Sequence, residues 1–246
     1  MRVIGHRGAM AVEPENTLRS FRRAQADGVD EIELDLHLSR DGHLVIMHDL
    51  DVARTTNGSG PIAELTLAEL KELDAGDGER IPTFEEVLDV IDVPIQAEVK
   101  APDAARATVE TIRERGLLDK VSVTSFSADV VRLAKELEPK VTTGLIMSGV
   151  PKDCIERAKT VNADLLCVGI APLTEEVVAA AHGEGLLVMA WPVNTPEQLL
   201  QAFRLGVDGI TSDYPDVRRR LAEAIPGIRT LLDHLETTLA DSPRPT

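Results

Sequence analysis

Apolar positions along the 246-residue chain gather into short runs, separated by longer stretches in which apolar residues return every third or fourth position. The runs are RVIG, EIELDLHL, LVIMH, PIQAEVK, VSVTS, TTGLIM, ADLLCVG, LLVMAW and GVDGITS. Runs this short, rich in β-branched residues and bounded by turn formers, read as strands; the 3.6-residue period between them reads as amphipathic helix. Helices are predicted over residues 16–27, 101–115, 128–137, 174–182 and 196–205. Gly28, Gly116, Gly183 and Gly206 stand at their ends, where a left-handed residue closes a helix. Alternation of this kind predicts parallel βα units.

Nine strand candidates are one more than an eight-stranded barrel needs. The second and third are joined by Ser39-Arg40-Asp41-Gly42 with no helix between them, so that join reads as a hairpin. The predicted fold class is α/β, an irregular (β/α)₈ TIM barrel over residues 1–225, with an open doubly wound sheet as the alternative. A small insertion at about residues 50–80 follows the third strand. It carries no strand, and its TLAELKEL segment reads as one short helix. Loops after barrel strands build active sites, which places the insertion beside one. Pro226-Gly227 ends the last barrel helix, and residues 226–246 read as a C-terminal helix over 228–239 and a frayed tail.

Composition narrows the partners. A net charge of −16 argues against nucleic acid and against stable association with an anionic membrane, since both reward a basic face. No window reaches about 18 apolar residues, and no export segment is legible, so a cytoplasmic protein is expected. Cys154 and Cys167 have no metal-binding spacing and read as buried thiols. A small-molecule partner and a monomer or homodimer are expected. Any phosphate substrate must be met by local positive charge from Arg, Lys or a metal ion.

The candidate chemistry lies at strand ends. His6 and Arg7 sit between Gly5 and Gly8 after the first strand, and His48 ends the third. In the second strand Glu33 and Asp35 are two apart and share a face. They form either a solvent-facing stripe or a buried pair, which stays ionised only if a cation or several donors offset it and otherwise has one pKa raised until that group is neutral. Glu98 and Lys100 repeat the spacing on the fourth candidate strand, where an ordinary salt bridge is the simpler explanation. Three carboxylates with oxygen donors suit a hard divalent cation better than zinc. With Arg7 to fork phosphate oxygens and Lys100 to neutralise growing charge, the set fits phosphate ester chemistry. One histidine can remove a proton while the other delivers one. Trp191 reads as packing or as pocket wall, and His37, His43, His182 and His234 as structural or surface residues. Ser125 lacks the Gly-x-Ser-x-Gly turn of a serine hydrolase.

The segments GHRGAMAVEPENTLRSFRRAQADGVDEIELDLHLSRDGHLVIMHD, RTTNGSG, IPTFEEVL, AEVK, AWPVN and GVDGITSDYPD, in this order from residue 3 to about 217, resemble the glycerophosphodiester phosphodiesterase family, in its compact bacterial form. The resemblance implies metal-dependent hydrolysis of glycerophosphodiesters to sn-glycerol 3-phosphate and an alcohol. It places the proton acceptor at His6, the proton donor at His48 and the phosphate grip at Arg7. The metal ligands fall on Glu33, Asp35 and Glu98, the family's lysine on Lys100 and its pocket tryptophan on Trp191. One divalent cation is implied, Mg²⁺ first, with Ca²⁺ or Mn²⁺ compatible. Pro192 and Ser39 stand where threonines are more usual. Two competing expectations are phospholipase D or C-like action on lysophospholipids, and a catalytically silent phosphate-binding barrel. The two proton carriers weigh against the silent barrel, because binding alone does not require them.

Overall fold

Alternate residues of the second strand are buried for different reasons, and this explains the shape of the molecule. In β2 (Glu31–Leu38) the side chains of Ile32, Leu34 and Leu36 join the apolar layer under the helices, while Glu31, Glu33, Asp35 and His37 point to the barrel axis. Both faces are therefore covered, and the solvent-facing stripe is ruled out: Glu33 is 6% exposed and Asp35 0%. The computed structural model describes residues 1–224. The helix expected over 228–239 and His234 lie outside them.

Eight parallel strands close the barrel: β1 (Arg2–Gly5), β2, β4 (Ile95–Val99), β5 (Val121–Ser125), β6 (Thr143–Met147), β7 (Leu165–Gly169), β8 (Leu187–Trp191) and β9 (Gly209–Ser212). Their order around the sheet is β1-β9-β8-β7-β6-β5-β4-β2, with β1 returning to β2. The ninth strand, β3 (Leu44–Ile46), is the hairpin partner predicted from Ser39 to Gly42. β1 is short and pairs with β2 only at Glu31 and Ile32; β3 runs antiparallel along Leu36 to Leu38. The irregularity thus lies beside Glu33 and Asp35.

The helices are α1 (Leu18–Ala26), α2 (Leu67–Lys71), α3 (Phe84–Val90), α4 (Pro102–Glu114), α5 (Ala128–Leu137), α6 (Cys154–Thr160), α7 (Glu175–Gly183), α8 (Pro196–Leu205) and α9 (Val217–Ala224). Threonines at 17, 83 and 195 cap α1, α3 and α8 by accepting a backbone N–H, and prolines open α4 and α8. Gly28, Gly116 and Gly206 are left-handed as expected. Gly183 is not: α7 continues through it, and Gly185 makes the turn, at φ +79°. Among the described residues no helix is long and apolar enough to cross a membrane.

The barrel interior is two-sided. Ile146, Leu165, Cys167 and Met189 of β6 to β8, with Ile4 of β1 and Trp191 against them, form an apolar cluster. The opposite wall, β2 and β4, carries the carboxylates. The inserted segment has a small core of its own, in which Val52, Ile62 and Leu70 pack on Val45 and Met47 around β3. Beyond the one expected helix, α2, it contains two 3₁₀ turns, Val52–Arg54 and Ile62–Glu64.

The turn after β1 depends on glycine. Gly8 has φ +83°, and a Cβ there would lie 2.5 Å from Ser20 Oγ and 2.7 Å from the Ser20 carbonyl carbon. Gly8→Ala therefore combines a left-handed penalty with an overpacked helix contact, each about 1–2 kcal/mol. Urea unfolding is expected to show a loss of roughly 2–4 kcal/mol on the same principles; an unchanged midpoint contradicts the assignment of this turn as tightly constrained.

Candidate active site

Four side chains reach the axis because sheet register puts them there. Asp35 and Glu98 are direct partners on β2 and β4, and Glu33 lies one inward position below Asp35. One ligand atom from each of Glu33, Asp35 and Glu98 lies within 4.8 Å of the others. Lys100, just past β4, sets its Nζ 2.7 Å from Asp35 Oδ1 and 2.5 Å from Glu98 Oε1. The simple salt bridge between Lys100 and Glu98 does exist, but as one edge of a larger cluster.

The other face of the cluster is built by the turn after β1. Arg7 is a non-glycine residue at φ 48°, and Asn16 is another at φ 59°. These left-handed residues both turn toward the carboxylates, as strained backbone at functional sites commonly does. The Arg7 backbone N–H donates to Glu33 Oε2 at 2.8 Å, and Arg7 Nε lies 3.3 Å from Asp35 Oδ2. Asn16 Nδ2 donates to Asp35 Oδ2 at 2.8 Å. Glu33 Oε1 is buried and has no hydrogen-bond partner among the described residues. An orphaned carboxylate oxygen among three acidic side chains fits a hard cation, which would replace the missing donor.

Protonation follows from burial and charge. Burial and the neighbouring Asp35 push Glu33 up to about 8. Burial and Asp35 likewise raise Glu98. Burial acts against ionising Asp35 too, yet Lys100 and Arg7 outweigh it and hold that carboxyl below its usual range. The division is physical: one acid keeps its charge because two cations face it, and its neighbours are pushed toward neutrality.

Both predicted histidines line one cavity of about 120 Å³, together with Arg7, Glu33, Glu98 and Trp191. Each imidazole is held by an aspartate through Nδ1. His6 Nδ1 lies 2.6 Å from Asp213 Oδ1, and Asn194 Nδ2 donates to the other oxygen of Asp213 at 2.7 Å. His48 Nδ1 lies 2.6 Å from Asp49 Oδ1. Nε2 of each ring is thereby left as the atom available for proton transfer. Burial disfavours the His6 imidazolium, but the Asp213 hydrogen bond and the Glu33 charge prevail and raise its pKa. His37 Nε2–H donates to the His48 carbonyl at 3.2 Å, so this buried histidine supports the segment carrying His48. Trp191 meets Phe126 edge-on at 5.8 Å, and the pair forms one wall. A wider groove of about 760 Å³ shares His48, Glu98 and Phe126 with the cavity and adds Lys100, Asp49 and Leu50.

All eight predicted site residues thus meet in one cluster. The sequence reading missed Asp213, Asn194, Asp49, Glu15, Asn16 and Arg54. Each lay in a segment carrying the family resemblance, and Asp49 directly follows His48. Of the other histidines read as structural or surface residues, His182 Nε2 pairs with Asp208 at 2.8 Å and the exposed His43 lies 3.9 Å from Asp41; Ser125 Oγ donates to the Val99 carbonyl at 2.7 Å.

Asp213→Asn removes the charge that sustains the His6 imidazolium. In the metal-free protein the His6 pKa is expected above the ordinary histidine value, and lower in the variant, when followed by NMR titration of the ring resonances. Equal titration in the two proteins contradicts the pairing.

The profile of the Glycerophosphoryl diester phosphodiesterase family matches residues 6–217. A glycerophosphodiester phosphodiesterase of Caldanaerobacter subterraneus subsp. tengcongensis is 35% identical over 229 residues, covering 87% of this chain and 94% of the relative. One from Bacillus subtilis is 31% identical over 245 residues, covering 87% and 84%. Among solved structures, an Oleispira antarctica phosphodiesterase in complex with the product sn-glycerol-3-phosphate superposes with a TM-score of 0.84 at 32% identity, covering 91% of this chain and 96% of that one. A match of this extent, together with the barrel and its clustered carboxylates, makes the chain a member of the glycerophosphoryl diester phosphodiesterase family.

Proposed function

We propose that this protein hydrolyses glycerophosphodiesters to sn-glycerol 3-phosphate and an alcohol, using one divalent cation and two histidines. The observation that carries the reading is the convergence of His6, His48, Arg7 and two of the three carboxylates on one cavity, with the fully buried Asp35 paired to Glu98 beside it. Glu33, Asp35 and Glu98 would hold the cation, Mg²⁺ by preference, with Ca²⁺ or Mn²⁺ accepted by the same all-oxygen set. Bound there, it supplies Lewis-acid polarisation of the phosphoryl oxygens.

The chain's own residues do the rest. Arg7 and Lys100 offer positive charge to the phosphate in an otherwise acidic protein. His6 takes the proton of the attacking oxygen at Nε2 while Asp213 holds the ring from Nδ1. His48 gives a proton from Nε2 to the departing oxygen as the P–O bond breaks, and Asp49 stabilises its imidazolium. The two rings are held alike, so the geometry supports a pair of proton carriers and the family resemblance supports their polarity. Trp191 and Phe126 supply an apolar wall against which the ester's carbon skeleton would lie.

A second reading, action on lysophospholipids, draws on Leu50 and Phe126, large exposed apolar residues that line the wider groove. One assay separates the two. Chelator-stripped protein is expected to release no glycerol 3-phosphate from glycerophosphocholine, and Mg²⁺, Mn²⁺ or Ca²⁺ to restore release. Turnover of lysophosphatidylcholine instead would favour the second reading, and no release with any of the metals contradicts the first.

A further inference from the structure

Arg54, in the first 3₁₀ turn of the inserted segment, belongs to no step described so far, yet its guanidinium meets two carboxylates at once. It pairs with Asp49 through Nε at 2.5 Å and Nη2 at 3.2 Å. It pairs with Glu15 through Nη1 at 2.9 Å and Nη2 at 2.7 Å. Glu15 in turn accepts from Arg7 Nη1 at 2.9 Å, and Asp49 holds His48 at 2.6 Å. One unbroken chain of charged contacts therefore runs from His48 through Asp49, Arg54 and Glu15 to Arg7 and Asp35.

His48 at one end of this chain and Arg7 near the other line the cavity, whereas Arg54 lines neither the cavity nor the adjoining groove. Its side chain is 47% exposed, so it carries little of the packing. What Arg54 does is fix the angle of Asp49. A carboxylate gripped on both oxygens cannot rotate away from the imidazole it orients, and bidentate guanidinium pairing is the strongest such grip available to a side chain. The Arg54 hydrogen bond, with the His48 contact behind it, holds Asp49 down to about 2, so that it stays ionised as a partner for the ring. We propose that Arg54 is a positioning residue through which the inserted segment aligns the His48 proton donor, by forking Asp49 on one side and Glu15 on the other.

The proposal rests on His48 being the proton donor, and the test is built to keep the two apart. Glycerophosphocholine must have its departing alkoxide protonated. The p-nitrophenyl ester of glycerol 3-phosphate departs as a stable phenolate and needs no proton donor. In the Mg²⁺-loaded protein, Arg54→Met is expected to lower kcat on glycerophosphocholine by about tenfold or more, a part of the full general-acid contribution, and on the aryl ester by less than about twofold. Arg54→Lys keeps the charge and loses the double fork, and the same asymmetry is expected from it. It also serves as the folded control should the methionine variant prove unstable in thermal unfolding. Equal losses on the two substrates would make Arg54 a merely structural residue and overturn the proposal, as would no loss on either. Full recovery in Arg54→Lys would assign the effect to charge and overturn the fork. A parent protein inactive on both substrates would instead remove the functional reading, and the proposal with it.

Discussion

Three carboxylates drawn into a closed barrel are the constraint from which the rest of the structure follows. Two like charges 4 Å apart repel by about 4 kcal/mol at an effective dielectric of 20, and burial adds the loss of hydration. Asp35 and Glu98 are forced together by the pairing of β2 with β4 and cannot separate without breaking the sheet. The fold answers with positive charge from two directions: Lys100 from the end of β4 and Arg7 from the turn after β1. It also answers with protonation, since Glu33 is pushed up to about 8. What remains is an orphaned oxygen on Glu33, which one further positive partner such as a divalent cation would satisfy.

The two-sided interior turns that demand into a place for a substrate. The β2 and β4 wall gathers charge, and the opposite wall, with Ile146, Cys167, Met189 and Trp191, is apolar. A molecule with a phosphate at one end of its polar range and a carbon skeleton beside it matches both walls at once. Cys167 shows the contrast: on the apolar wall, burial raises its thiol to about 12, and it packs as a small hydrophobe. The strained turns at Arg7 and Asn16 and the glycines beside Arg7 are the local cost of bringing donors to Glu33 and Asp35 from a loop.

Much of this was legible in the chain. The period-2 pattern of Glu33 and Asp35, the apolar runs and the missing helix at Ser39 to Gly42 predicted the barrel and its hairpin, because they are local properties of strands and turns. Convergence of His6, His48, Glu98 and Lys100 on one rim followed from strand ends alone. What periodicity could not decide was whether the carboxylates faced water. A strand buried on both faces carries the same alternation as one buried on a single face, and only barrel closure separates them. The partners of the histidines were hidden for another reason. Asp213 is 207 residues from His6, and Glu15 is 39 from Arg54; such contacts are set by topology and leave no trace in local spacing. Gly183 failed as a helix end because a second glycine two residues later takes the left-handed position.

The cation site is tested most directly by anomalous scattering from crystals soaked in Mn²⁺. The predicted result is one strong peak held by Glu33, Asp35 and Glu98, next to the cavity that His6 and His48 line. A peak held by other residues, or no ordered metal under conditions that support catalysis, would contradict it.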